Sequence, residues 1–447
     1  DWSSDVCSSD LNQCAFTNIS GAISAGYSDY ILAANGTNSN LGGARLNLSG
    51  GTQVLSGANA PIIETQFGPV NLKAVYGVGS GAAPTISNGT IGIGSNTTIE
   101  GFNFVDASIT NYSTSNVRIA GNSFKGSANG LAAIAFNGVS DAVIENNDFE
   151  NASVIGIDVS NFRISHNTFK SSGDGFGAIQ LINAKKTSVE YNKMTDLYAK
   201  KSLIGGRIDS YIARGISAVD SDQIIIRGNT VSGAIGEGIY IENIGTNPDN
   251  LIANNTVDDI RVDQDTNLEA AIFVRNNLDG SIKITGNTVA DFNQTEGQGY
   301  PKGESSNGSD GIELNICRGG EHTTNHAAFS DDKAGSCSTN KTLQAVVSGN
   351  LVTNLLGTTD GIDFNIGDYG QLDVIVSDNT VTEVGDDAFT MDAWGKNIQS
   401  NVNISGNTFK NTGKDNGDGM SFELDTDNCS IYFNPNDPRS EEHTSEL

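Results

Sequence analysis

The residues of this chain that are most able to do chemistry are acidic, and they recur along its second half. In four recurrent segments of this half, an aspartate stands directly before the small residue that begins the segment, and further carboxylates lie within three positions of these aspartates. If the four segments stack one above another, their carboxylates repel, so some should have raised pKa values or share a cation. Calcium suits such oxygen ligands. The predicted calcium ligands are Asp310, Glu313, Asp360, Asp363, Asp387 and Asp418.

The same aspartates also have a purely structural interpretation that needs no ligand. Asp-Gly is a common way to turn a chain, because aspartate side chains hydrogen-bond to nearby backbone groups. In that interpretation Asp310, Asp360 and Asp418 only lead the chain into the strand that follows each of them. The sequence leaves both interpretations open.

Internal repetition predicts the elements that position these side chains. One asparagine recurs about 20 to 32 residues apart in most repeats, with Ile or Val three residues before it and usually Thr-Val or Thr-Phe after it. Asparagine tolerates the left-handed conformation of a tight corner, and stacked amides can form a hydrogen-bonded ladder. The asparagines are Asn122, Asn147, Asn167, Asn192, Asn229, Asn255, Asn287, Asn350, Asn379 and Asn407.

A second recurrent segment alternates apolar and outward residues, as in Gly238-Ile-Tyr-Ile and Gly361-Ile-Asp-Phe. A short strand with one apolar face cannot bury that face alone, whereas stacked coils form a continuous core. Parallel crossovers are right-handed. We therefore predict an all-β fold, a single-stranded right-handed parallel β-helix (a solenoid) of about a dozen coils.

This pattern resembles the right-handed β-helix repeat family with its pectin-lyase-like architecture, from about Ile91 to Phe433. Within it, Thr359-Asp360-Gly361 and Gly385-Asp386-Asp387 resemble the Asn-Thr-Asp and Gly-Asp-Asp motifs of polygalacturonase-type glycoside hydrolases. The resemblance implies catalytic roles for Asp360, Asp386 and Asp387, as general acid and as activators of water in inverting hydrolysis. Asparagine is replaced by Thr358, and no Gly-His-Gly or Arg-x-Lys motif follows.

Two classes of function follow from these motifs. The first is a secreted or cell-surface β-helix, such as an adhesin or passenger domain, that binds carbohydrate or another surface. The alternative is a polysaccharide-cleaving enzyme, either a hydrolase of the polygalacturonase type or a uronate lyase. A lyase needs a basic proton abstractor. Its candidates are Arg207 and Arg214 near Asp209, and Arg318 and Lys396 near the acidic residues.

A long excursion at about residues 290–344 interrupts the repeat and is predicted to be a loop insertion that shapes a binding face. It contains His322 and His326, whose spacing suits a metal only on a helix, and the local Gly319-Gly320 argues against one. Cys317 and Cys337 could close this loop by a disulfide, as an exported protein permits, or remain free thiols.

The composition of the chain argues against two kinds of binding partner, nucleic acid and the membrane interior. A formal net charge of −28 argues against nucleic acid, whose phosphates would be repelled. No apolar run approaches the roughly eighteen residues of a membrane helix. The chain is predicted to be an extracellular or cell-surface monomer whose partner is a polysaccharide or a surface glycan.

The two ends are predicted to be non-native. Residues 1–11 and 439–447 resemble translations of a sequencing adapter, because codons can be chosen that make their DNA strands reverse complements. The predicted organisation is completed by an N-terminal cap with irregular first coils over residues 12–83 and the β-helix over residues 84–438.

Overall fold

The computed structural model describes most of the chain between residues 21 and 433. The described residues are 21, 30–33, 36–56, 62–65, 68–71, 82–127, 132–170, 177–197, 202–204, 207–209, 214–234, 236–260, 270–292, 310–317, 337–355, 360–412 and 419–433. Both adapter-like ends lie outside them. Within them, no helix has the length and apolar character needed to cross a membrane. The chain divides into two compact units, Asp1–Gly173 and Asp174–Leu447, which are described separately.

The first unit is built from short strands. They are β1 (Tyr30–Ala33), β2 (Asn38–Asn40), β3 (Arg45–Asn47), β4 (Gln53–Ser56), β5 (Ile62–Thr65), β6 (Gly68–Asn71), β7 (Thr85–Gly92), β8 (Thr98–Glu100), β9 (Asn103–Tyr112), β10 (Ser115–Ala120), β11 (Ser123–Lys125), β12 (Ile134–Asn137), β13 (Ser140–Glu145), β14 (Asp148–Glu150), β15 (Val154–Ile157), β16 (Arg163–Ser165) and β17 (Thr168–Lys170).

The second unit continues with longer strands toward its end. They are β18 (Ile179–Ile182), β19 (Lys185–Glu190), β20 (Lys193–Thr195), β21 (Ser202–Ile204), β22 (Arg207–Asp209), β23 (Ile216–Val219), β24 (Asp222–Arg227), β25 (Thr230–Ser232), β26 (Ile239–Glu242), β27 (Leu251–Ala253), β28 (Thr256–Asp258), β29 (Ala270–Asn276), β30 (Gly280–Thr285), β31 (Thr288–Phe292), β32 (Asp310–Ile316), β33 (Lys341–Ser348), β34 (Leu351–Leu355), β35 (Ile362–Ile366), β36 (Gly370–Ser377), β37 (Thr380–Val384), β38 (Phe389–Ser405), β39 (Thr408–Lys410) and β40 (Met420–Phe433).

Strands pair in parallel with the equivalent strand of the next coil, which gives three sheets in each unit. The first sheet holds the strands before the recurrent asparagine, the second those after it, and the third the alternating segments. In the first unit these series are β8–β10–β13–β16, β9–β11–β14–β17 and β9–β12–β15. In the second unit they are β19–β24–β27–β30–β33–β36–β38, β20–β25–β28–β31–β34–β37–β39 and β18–β23–β26–β29–β32–β35–β38. The short pairs β5–β6 and β21–β22 are antiparallel.

This arrangement confirms the predicted fold, a single-stranded right-handed parallel β-helix. Strand β1 pairs with β4, β2 and β3 pair with β7, and β4 pairs with β8, all in parallel, so parallel coils begin before residue 84. The segment predicted to be a loop insertion contains β32, the end of β31 and the start of β33. The excursion therefore contains a regular strand of the third sheet.

The predicted asparagine ladder is present in each unit. In the second unit, Asn255 Oδ1 accepts hydrogen bonds from the backbone N and from Nδ2 of Asn229, at 2.9 and 3.0 Å. Asn255 Nδ2 in turn donates to Asn287 Oδ1 and to the carbonyl oxygen of Ile226, each at 3.0 Å. In the first unit, Asn122 and Asn147 are joined in the same way. The ladder thus satisfies buried amide groups from coil to coil.

The left-handed conformation of the corner belongs to a different residue from the one predicted. None of the ladder asparagines has a positive φ, whereas the residue before each of the ten does. That preceding position has φ between 53° and 66° and is filled by several residue types. They are Gly121, Asn146, His166, Tyr191, Gly228, Asn254, Gly286, Gly349, Asp378 and Gly406. The ladder asparagine is selected for its amide and not for its backbone.

The core consists of inward apolar side chains from all three sheets. In the first unit, phenylalanines of the second sheet stack in register, with ring centroids 4.5 to 4.8 Å apart and rings nearly parallel. These rings are Phe104, Phe124, Phe149 and Phe169. Because their spacing equals the spacing of parallel strands, the stack is continuous with the sheet.

In the second unit, the third sheet is buried on both faces where β29, β32 and β35 lie side by side. At the end of β32, Cys317 forms a disulfide with Cys337, with a Cα–Cα distance of 5.0 Å. The structure therefore favours the bridged alternative over free thiols. His322 and His326, between the two cysteines, lie outside the described residues.

Candidate functional site

The candidate site lies on the third sheet of the second unit, where consecutive strands are held in register. Ile272 of β29, Ile312 of β32 and Ile362 of β35 are adjacent and point into the core. Alternation then turns the next residue of each strand outward. One outward row is Phe273, Glu313, Asp363 and Thr390, and a second is Arg275, Asn315, Asn365 and Asp392.

The aspartates before these strands form a hydrogen-bonded file. Asp310 Oδ1 accepts a hydrogen bond from the backbone N of Asp360 at 3.0 Å, and Asp360 Oδ1 accepts one from the backbone N of Asp387 at 2.8 Å. Each of these two carboxylates therefore accepts a backbone hydrogen bond just before a strand of the next coil. Asp418, the next predicted member, lies outside the described residues.

Two groups of three carboxylates meet along this file. In the first group, Asp310, Glu313 and Asp363 bring one oxygen each to within 4.8 Å of one another. Their residues are 8%, 3% and 6% exposed. Nδ2 of Asn365 donates to Glu313 Oε1 at 3.0 Å and also contacts Asp363 Oδ2. Burial and crowding both make three full negative charges costly here.

The second group is formed by Asp360, Asp386 and Asp387, the residues to which the sequence resemblance assigns catalysis. Their nearest oxygens also lie within 4.8 Å of one another, and all three side chains are partly buried. The hydroxyl of Thr390 lies 3.5 Å from Asp387 Oδ2 and can donate to it. The structure thus brings together the residues of both predicted sets, apart from Asp418.

The pKa of two carboxyl groups is raised in this environment. Burial is the main cause for Asp310, and the negative charges of Asp363, Glu313 and Asp360 add to it, so its pKa is well above the usual value. Burial also raises the pKa of Asp360 from 3.8 to about 6, although hydrogen bonds from Asp387 and Thr390 oppose the rise. Both groups are therefore inclined to hold a proton or to need a cation.

The raised pKa of Asp360 predicts that stability falls as pH rises when no divalent cation is added. Between pH 3.8 and about 6 the folded state binds more protons at this group than the unfolded state does. The corresponding stability, about 3 kcal/mol, is present below this window and is lost as pH passes 6. Urea unfolding of the Asp360→Asn variant should show a smaller decline between about pH 4 and 7. An equal decline in both proteins would contradict the assignment.

The donor set of the first group fits calcium better than other common ions. The group consists of three carboxylates, and the amide side chains of Asn315 and Asn365 lie in the adjoining outward row. The ligand atoms that these side chains can offer to a cation are oxygens. Ca²⁺ takes six to eight oxygen ligands and tolerates irregular geometry, whereas zinc and copper sites use histidine or cysteine. Among the described residues, no histidine or cysteine joins either group.

For hydrolysis, the spacing of the second group is short. Inverting glycosidases commonly hold their two carboxyl groups about 6.5 to 9.5 Å apart, which leaves room for the attacking water. Oxygens within 4.8 Å of one another are closer than that. Asp360 Oδ1 is also engaged by the backbone of the next coil. Cation binding therefore fits this geometry better than inversion does.

The basic residues proposed as proton abstractors for a lyase were Arg207, Arg214, Arg318 and Lys396, and two of them contact other side chains. Arg214 pairs with Glu237, at 2.6 Å between Nε and Oε2, and stacks 3.6 Å from the centre of the Tyr240 ring. Lys396 lies over the ring of Tyr369 at 5.5 Å. Arg318 lies outside the described residues. For Arg207, within β22, the structure gives only the backbone.

The sequence did not point to four side chains of this face. They share the outward rows with the acidic residues, in register across neighbouring strands, and are Arg275, Asn315, Asn365 and Thr390. Counting five positions from each strand-leading aspartate would have found Asn365 and Asn315. Arg275 gave no signal, because its strand begins with Ala270 in place of an aspartate.

Comparison with known proteins supports the architecture. No family model matches the chain, and no curated protein matches it. Among solved structures, the Streptococcus pneumoniae surface protein and adhesin PfbA is similar with a TM-score of 0.52 and 12% identity, over 91% of this chain and 95% of PfbA. The A-module of the Azotobacter vinelandii mannuronan C-5 epimerase AlgE4 has a TM-score of 0.36 and 12% identity, over 93% of each chain.

A tailspike protein mutant of Escherichia coli bacteriophage HK620 has a TM-score of 0.40 and 11% identity, over 88% of this chain and 73% of the tailspike. The chain is a right-handed parallel β-helix, and the similarity to PfbA supports that architecture. At 12% identity this similarity concerns the fold alone.

Proposed function

We propose that this chain is an extracellular β-helix protein that binds a glycan through calcium held by the acidic groups of its third sheet. The observation that carries the proposal is the pair of carboxylate triads on consecutive coils of one sheet, each within 4.8 Å. A bound divalent cation would offset the repulsion among these buried charges. It would also offer open coordination positions to the hydroxyl groups of a sugar.

The disulfide supports an extracellular location. Cys317 and Cys337 are bonded in the structure, and disulfides persist mainly in oxidising compartments outside the cytosol. Calcium is abundant in the same compartments, and sites of extracellular modules commonly bind it with a dissociation constant of about 0.1 to 1 mM. Location and cofactor are therefore mutually consistent.

Glycan binding is predicted to require calcium. The full chain should bind at least one polysaccharide of a glycan panel in about 5 mM CaCl₂ and lose binding by tenfold or more in EDTA. The Glu313→Gln variant should weaken binding in calcium, whereas Glu383→Gln, at an exposed position of β37, should not. Isothermal calorimetry measures both. Binding that is equal in calcium and in EDTA would overturn the role assigned to the cation.

A second function, inverting hydrolysis of a polysaccharide, is favoured by one observation. Asp360 has a pKa of about 6 and lies beside Asp386 and Asp387, so it could act as a general acid near neutral pH. Hydrolysis would release new reducing ends from an acidic polysaccharide, and the Asp360→Asn variant would not. A lyase would release unsaturated uronates instead. Absence of both products over the whole panel would exclude the enzymatic alternative.

A further inference from the structure

Arg275 is a buried cation on the outward face of the third sheet. It lies on β29 between Glu242 of β26 and Asn315 of β32, with which it is in register. The residue is only 8% exposed, and its Nη2 atom is buried without a hydrogen-bond partner. Among the ion pairs of the residues that the structure describes, none involves Arg275.

Such a guanidinium needs an anion from outside the described chain. Arginine cannot neutralise itself by losing a proton, so its burial leaves a charge that must be compensated. The in-register acid, Glu242, already accepts a hydrogen bond from the Tyr240 hydroxyl at 2.8 Å. The planar fork of a guanidinium matches the paired oxygens of an oxyanion such as a carboxylate or a sulfate.

The position of Arg275 fits the charged end of a bound glycan. Phe273 precedes it by two residues on the same outward face, and the Phe273 ring packs against Tyr240 with centroids 5.7 Å apart. On the next coil, the outward row passes from Phe273 to Glu313 of the first carboxylate triad. Arg275 thus lies near the first carboxylate triad, and unlike Arg214, which pairs with Glu237 beside Tyr240, it has no ion pair among the described residues.

We propose that Arg275 binds an oxyanion substituent, a carboxylate or a sulfate, on the glycan that occupies this sheet; the inference rests on the proposed glycan-binding function. The ligand is then an acidic glycan, and Arg275 discriminates between charged and neutral glycans. The acidic triads bind the cation, and Arg275 selects the anion. A neutral glycan of the same shape would leave the buried guanidinium uncompensated.

The test uses the full chain in calcium with two probe pairs that differ only in charge. These are oligogalacturonate against its methyl ester, and dextran sulfate oligosaccharides against dextran. The native chain should bind the charged member of one pair about tenfold or more tightly than the neutral member. Arg275→Met should lose that preference without weakening binding of the neutral probe. Arg227→Met, which removes an arginine paired with Glu190 on the first sheet, should keep it.

Stability separates a binding role from a structural one. With no oxyanion in the buffer, Arg275→Met should unfold at the same temperature as the native chain or at a higher one, because it removes an uncompensated buried charge. A lower temperature would show that the guanidinium already has a partner in the chain, and would overturn the proposal. Arg275→Lys keeps the charge without the fork and should bind the charged probe with intermediate affinity.

Failure of glycan binding can be told apart from failure of the anion site. Free glucuronate or sulfate should raise the unfolding temperature of the native chain but not that of Arg275→Met. If no glycan binds but free anions still stabilise the native chain and not Arg275→Met, the glycan-binding function is wrong and the anion site is supported. If charged and neutral probes bind equally, or if Arg275→Met responds to the free anions as the native chain does, the proposal is wrong.

Discussion

Replacing Asn255 with alanine is expected to lower the free energy of unfolding by about 5 kcal/mol. The side chain is almost fully buried and takes part in four hydrogen bonds that join three coils. Alanine would leave two donors of Asn229 and the acceptors on Ile226 and Asn287 without these partners. Each unsatisfied buried group costs about 1 to 3 kcal/mol. Urea unfolding followed by circular dichroism measures the loss.

The neighbouring residue provides a matched control. Asn254 is also an asparagine of the same corner, but it is exposed and has a φ of 53°. Glycine adopts this conformation readily and already fills the equivalent position at Gly228 and Gly286. Asn254→Gly should therefore change the free energy of unfolding by about 1 kcal/mol or less. Equal losses in the two variants would mean that the amide ladder is not what stabilises the stacking.

Calcium at about 5 mM is expected to stabilise the protein by about 1 to 2 kcal/mol, the value for a ligand present at about 5 to 50 times its dissociation constant. Differential scanning calorimetry should show this as a rise in the unfolding temperature of about 2 to 4 °C. The physical reason is that a bound cation offsets the repulsion among Asp310, Glu313 and Asp363 and between them and Asp360. Magnesium, which demands strict octahedral geometry, should have a smaller effect.

Asparagine variants of the acidic residues test whether calcium stabilises the protein by offsetting their charge. Asp310→Asn and Asp360→Asn keep an oxygen that can accept the backbone hydrogen bond of the next coil, but they remove a charge. Without calcium they should be as stable as the native chain or more stable. With calcium they should gain less. Asp373→Asn, on an exposed part of β36, should respond to calcium as the native chain does. An unfolding temperature that calcium leaves unchanged would reject the site.

The repeat made the architecture predictable because every coil must bury one apolar strand face and pair one buried asparagine amide. An apolar residue three positions before each asparagine marks one strand, and the buried amide marks the corner after it. The backbone of that corner was assigned to the wrong residue. Asn146 and Asn254 occupy the left-handed position themselves, and their presence beside a ladder asparagine concealed which of the two needs the unusual φ.

The site was predictable only in part. The strand-leading aspartates and Glu313 could be read from their regular place in the repeat, and the structure brings them together. Their separation into two triads could not be read, because it depends on how Asp360 lies between Asp310 and Asp387. Arg275 was not predictable, since nothing in its local sequence shows that an arginine at that position is buried.

The amide ladder has an evolutionary consequence. Each asparagine donates to an amide oxygen of the following coil and to a backbone carbonyl of the preceding coil. Every coil therefore presents the same donors on one side and the same acceptors on the other. A coil can thus be duplicated or deleted in the gene, and the exposed groups on either side still match. We expect homologous chains to differ in length by whole coils, with indels that begin and end at equivalent points of the repeat. Surfaces such as the acidic face would then diverge on a scaffold whose joints stay interchangeable.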